Sequence, residues 1–147
     1  MLSDTDRIRN LLGRYCELID SGDLDGVGAL FARGILADEH GQPFAQGAEE
    51  VAGFYGRSMQ MYAGRPGTKH MVSNTVFDEP DGDGTVTAHS SYVVFQATDA
   101  LPLQPMAAGR YQDRFGRERD GRWHFVERRF LIDLVGDMSH HWSGPGA

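Results

Sequence analysis

TKHMVSNTVFDEPDGDGTVTAHSSYVVFQAT, residues 68–98, decides the fold. On both sides of Asp81-Gly82-Asp83-Gly84 the apolar period is close to two, so the segment reads as two strands joined by a turn. The same alternation continues downstream. It predicts strands near 68–78, 85–98, 107–117 and 122–135, separated by that turn, a Pro-containing loop and Asp120-Gly121. Upstream the period changes to that of helices. Ser3-x-x-Asp6 has the form of a capping box, and Ile8, Leu11, Leu12, Tyr15, Leu18 and Ile19 follow at three- and four-residue intervals, giving a helix that runs to about Asp20. Ser21-Gly22-Asp23 breaks it, and Leu24, Val27, Leu30 and Phe31 mark a second short helix capped by Asp23. Residues 35–40 and 43–46 flank a turn as a small hairpin, and 48–62 reads as a third helix. Helices first and a long antiparallel meander afterwards predict an α+β domain. A curved sheet wraps around the N-terminal helices as a cone, with a cavity at its open end.

The 147 residues, 40% hydrophobic and 24% charged, fit one domain over 1–147, with a flexible tail expected from about 136. A net charge of −7 and dispersed arginines argue against nucleic acid as a partner. No apolar run is long enough to cross a membrane as a helix. The N-terminus is acidic where a signal peptide would be basic, and Cys16 has no second cysteine to pair with, so a reducing cytoplasm is expected.

Asp20 is the most informative single residue. Leu12, Cys16 and Asp20 fall four apart, which places a carboxylate near the buried face of the first helix. It also faces the negative end of the helix dipole, a position that calls for a favourable partner such as a histidine. Two roles are open to it: that partner, or the common task of ending the helix and bonding the following turn. His70 begins the first long strand with Val72, Asn74 and Val76 at its own parity, so it can point inward as a general base or serve as a hydrogen-bonded structural residue. Tyr15, five residues before Asp20, needs a partner for its hydroxyl, either within the core or on a substrate oxygen. His89 is a second candidate for the pocket wall. Arg128 shares parity with Phe130 and Ile132, so its guanidinium would need a carboxylate or a substrate oxygen, unless a bulge reverses the register in favour of Arg129. The chain lacks Gly-x-Gly-x-x-Gly, a P-loop and Gly-x-Ser-x-Gly, so no cofactor is expected. His70 and His89 have no third ligand at a recognised spacing, so no metal is expected either. Cys16 sits in an apolar stripe, unlike an activated nucleophile.

With Tyr15-Cys16-Glu17-Leu18-Ile19-Asp20, Gly22-Asp23, Leu30-Phe31, His70-Met71-Val72-Ser73-Asn74, Gly109-Arg110-Tyr111 and Asp120-Gly121-Arg122-Trp123 in place, the chain resembles the SnoaL-like branch of the nuclear transport factor 2-like superfamily. That branch includes scytalone dehydratase, bile acid 7α-dehydratase and hexachlorocyclohexane dehydrochlorinase. The resemblance implies that Asp20 orients His70, that His70 removes a proton, and that Tyr15 assists at an oxygen. It matches Arg128 to a substrate-binding arginine and His89 to a second histidine. The expected activity is cofactor-independent elimination of the dehydratase type, or isomerisation, on a small, largely apolar or polycyclic molecule. The alternatives are a noncatalytic ligand-binding or assembly domain and polyketide cyclase chemistry. The resemblance also implies a homo-oligomer, dimer or trimer.

Overall fold

The computed structural model describes residues 1–143. Helix α1 spans Asp4–Ser21, capped by Ser3, whose hydroxyl accepts the Asp6 N–H while the Asp6 carboxylate accepts the Ser3 N–H. Its stripe Ile8, Leu12, Tyr15 and Ile19 is buried in the core. Gly22 ends the helix at φ 79°, a left-handed conformation that glycine adopts without cost. Helix α2, Leu24–Leu30, starts on the Asp23 cap, and helix α3 spans Gly47–Ser58. The two pack closely at Gly28, where a Cβ would stand 2.3 Å from the Ala48 carbonyl oxygen. Helix α3 stops four residues short of its expected end, because Met59 turns extended and bridges to Trp142.

The strands are β1 Ile35–Ala37, β2 Pro43–Gln46, β3 Thr68–Phe77, β4 Val86–Thr98, β5 Leu101–Arg117 and β6 Trp123–Val135. They form one curved, open sheet in the order β2-β1-β6-β5-β4-β3, with helices on its concave side. The meander β3 to β6 is antiparallel as expected. The small hairpin joins its far edge through a parallel β1–β6 pair that the local pattern did not reveal. Strand β5 starts six residues before the expected position, with Pro102 and Pro105 inside it. Sheet pairing makes this tolerable: β6 pairs β5 only from Ala107 onward, so this stretch has a ladder on one side and the missing N–H groups can face its open side.

Two irregularities redirect side chains. Asn74 takes φ 54° within a break in the β3–β4 register between Ser73 and Val76. His70 and Val72 therefore face inward as expected, but Val76 is 62% exposed, a correction to the uniform parity read from the sequence. In β6 the register shifts between Phe125 and Glu127, opposite Phe115 and Arg114, so Phe125 and Arg128 are both completely buried despite their odd spacing. Arg129 lies on the other side and pairs with Glu127.

Residues 136–143 depart from the expected flexible tail. Gly136 N–H donates to the Met106 carbonyl at 2.6 Å, and Ser143 N–H donates to the Ser58 carbonyl at 2.7 Å. Between those ends Gln60 donates to the carbonyls of Ser139 and Trp142, and Tyr62 donates to that of His140. The segment is a strap laid over the mouth of the sheet; residues 144–147 of the expected tail lie outside the described residues. Among the described residues no helix is long and apolar enough to cross a membrane.

Candidate active site

The last turn of α1 and the first residues of β3 meet at Asp20. One carboxylate oxygen accepts the His70 Nδ1–H at 2.6 Å and the Thr68 hydroxyl at 2.8 Å, and the other accepts the His70 backbone N–H at 2.9 Å. Three donors converge on a carboxylate at the unfavourable end of a helix, which answers the electrostatic problem of its position. Burial works to raise Asp20, but the hydrogen bond and charge of His70, with the other two donors, hold it below the usual carboxylate value. An ionised carboxylate only accepts, so the proton of neutral His70 sits on Nδ1 and Nε2 carries the free lone pair. The ring is buried apart from the face it gives to a cavity of about 590 Å³. That volume is within the range of small-molecule sites, and the wall is mostly apolar and aromatic.

This arrangement makes stability depend on acid. A carboxyl held below its unfolded value near 3.8 stabilises the fold above that pH, and the contribution is lost as pH falls through the folded value. Asp20→Asn should therefore flatten the decline of unfolding free energy between about pH 5 and pH 2. Urea titrations at a series of pH values measure this, and an unchanged slope would count against the interaction.

Tyr15 also lines the cavity, its ring edge-on to His70 with centroids 6.2 Å apart. Its hydroxyl lies 2.6 Å from that of Tyr55 on α3. Burial raises both phenols, so both stay protonated near neutrality. Two hydroxyls hold two protons, and one hydrogen bond between them uses one; the other remains to donate to a bound oxygen. Nothing local in the sequence distinguishes Tyr55 from a core residue of α3.

Arg128 and His89 require correction. Arg128 is 0% exposed and does not line the cavity: its guanidinium makes a two-point contact with Asp113, at 2.8 and 2.9 Å. Of the two partners the sequence allowed, carboxylate or substrate oxygen, it has the carboxylate. Burial raises the Asp113 carboxyl and Arg128 opposes that rise; the two-point geometry is that of a charged pair, in which Asp113 holds Arg128 protonated. The guanidinium lies 3.6 Å from the ring centre of Tyr111 and 4.3 Å from that of Tyr15, so it supports the cavity wall from behind. His89 is on the convex face, bonded to Asp78 at 3.0 Å and away from the cavity, because β4 directs Ala88, Ser90 and Tyr92 inward instead. Cys16 is a protonated thiol, pushed up by burial to about 11. Among the described residues no three His, Cys, Asp or Glu side chains cluster as a metal site would require.

The sequence reading missed the strap, which adds Met138, His141 and Trp142 to the wall. Two adjacent histidines beside a Gly-Pro-Gly end have the composition of a loose terminus, and the hydrogen bonds that order them come from α3 and the residues after it.

The family described as SnoaL-like domain matches residues 1–129. Among solved structures, a singly substituted form of Rv3472, a protein of unknown function from Mycobacterium tuberculosis, superposes with a TM-score of 0.71 at 26% identity, covering 90% of this chain and 73% of that one. A protein of Novosphingobium aromaticivorans, described as nuclear transport factor 2-like with a cystatin-like fold, gives 0.70 at 26% identity, covering 93% and 86%. A candidate scytalone dehydratase from the same organism gives 0.70 at 19% identity, covering 91% and 87%, a likeness of fold.

Proposed function

We propose, on the premise that this chain belongs to the SnoaL-like domain family, that it is a cofactor-independent lyase of the dehydratase type, or an isomerase, acting on a small, largely apolar cyclic ketone or phenol. The observation that carries this reading is the 2.6 Å bond between the Asp20 carboxylate and the His70 ring on the wall of an apolar cavity. Nε2 of His70 takes a proton from a carbon next to a carbonyl, and Asp20 steadies the imidazolium that forms. The spare proton of the Tyr15–Tyr55 pair hydrogen-bonds the oxygen on which charge develops. The imidazolium of His70 then gives its proton to the β-hydroxyl, which leaves the enolate as water, and this completes a dehydration and restores the neutral base. Return of the proton to another carbon completes an isomerisation.

The first step can be read without knowing the true substrate. In D₂O, the protein should speed the exchange of α-protons of simple bicyclic ketones such as 2-tetralone, followed by NMR. Absence both of exchange and of elimination across a panel of hydroxylated bicyclic ketones would favour a ligand-binding domain instead. Tyr15→Phe should lower kcat by about 10²-fold with a smaller change in KM, as expected for a contact that strengthens as charge develops. A change in KM alone would reduce Tyr15 to a binding contact.

A further inference from the structure

The strap places a second imidazole in the cavity wall, and the acid-base reading above does not use it. His141 lines the same cavity as His70, beside Trp142. Its Nδ1 is enclosed and has no hydrogen-bond partner among the described residues, and among those same residues none bonds to Nε2. An imidazole left this way in an apolar wall costs stability unless something else satisfies it. The backbone around it is thoroughly anchored. His141 N–H donates to the Met138 carbonyl at 3.1 Å, its own carbonyl accepts Gln60 N–H at 2.8 Å, and the His140 carbonyl accepts both Tyr62 and Gln96. The ring is therefore held in position by fixed main chain on both sides.

Its protonation state follows from its surroundings. Burial, with the His70 ring nearby, lowers His141 to about 4, so it is neutral near pH 7. No acceptor lies against the enclosed Nδ1, so a proton there would be a buried orphan donor. An unshared lone pair is the smaller penalty, and the proton belongs on Nε2. The open nitrogen is thus a neutral donor.

We propose that His141 is a recognition residue, donating a hydrogen bond from Nε2 to a carbonyl or hydroxyl oxygen of the bound ring compound. This rests on the reading of the cavity as a substrate site, and it assigns to the strap a residue that recognises an oxygen of that substrate. The strap then selects for that oxygen, and hydrocarbons of the same shape lose the contact.

Two probes with one carbon skeleton test this: 2-tetralone and tetralin, titrated against the full chain by quenching of tryptophan fluorescence. His141→Phe should weaken 2-tetralone by about fivefold to tenfold and shift tetralin by less than about twofold. His141→Gln keeps a donor of similar reach and should restore most of the preference. Equal losses for both probes would mean that the ring only packs the strap, and the inference falls. It falls too if the Phe variant leaves the preference intact, or if the Gln variant behaves as Phe does. Failure of the acid-base reading looks different: no proton exchange by the wild-type chain, with the His141-dependent preference retained.

Discussion

His70→Ala should lower turnover by about 10³-fold while the protein remains folded and the cavity still binds 2-tetralone. The expected size follows from the geometry. His70 is the imidazole that combines a cavity-facing position with a carboxylate fixing its proton on Nδ1, and losing it removes the group that accepts the substrate proton. The α-proton exchange rate and kcat should fall together, because both report the same transfer. His70→Asn keeps some hydrogen bonding without a usable base and should be similarly inactive. Retention of more than about a tenth of wild-type exchange in either variant, against the 10²- to 10⁴-fold usual for such a group, would sink the assignment of His70 as base.

The second large effect concerns stability. Asp113→Leu should destabilise the fold by about 3–5 kcal/mol, because it leaves the Arg128 charge buried without its counter-ion. The pair is fully enclosed, and Arg128 already has one nitrogen, Nη1, with no partner among the described residues. Arg128→Met should cost a similar amount for the converse reason, leaving a buried carboxylate uncompensated. The double variant Asp113→Leu/Arg128→Met removes both charges and should lose less than either single change, since a buried ion pair repays its desolvation poorly compared with apolar side chains. Urea unfolding of the four proteins gives the cycle. Additive losses would show that the pair is not coupled and that each residue matters through packing alone.

These two experiments separate what the sequence made legible from what it did not. The stripe Ile8, Leu12, Tyr15 and Ile19 and the period-two strands are consequences of burying one face of each element, so helices, meander and α+β class could be read locally. Asp20 could be placed near the buried face by its spacing. Its contact with His70 could not, because 50 residues and the curvature of the sheet intervene, and only the family resemblance joined the two. Local pattern failed where backbone irregularity entered. The Asn74 and Val126 bulges each reverse side-chain parity, and neither has a distinctive signature in one sequence. His89 was misplaced for a simpler reason: both faces of β4 carry apolar residues, so alternation does not say which is concave. The strap was missed because its order depends on donors from Gln60, Tyr62 and Gln96, far away along the chain.

The family match ends at residue 129, and the strap begins seven residues later. Tyr15, Asp20 and His70 therefore lie in the matched part of the chain, whereas Met138, His141 and Trp142 lie beyond it. The proposed base and the proposed recognition residue thus lie on separate stretches of polypeptide. Point changes in eight contiguous codons alter part of the cavity wall and leave the proposed Asp20–His70 dyad untouched, which makes 136–143 the economical place to randomise when a new substrate is sought.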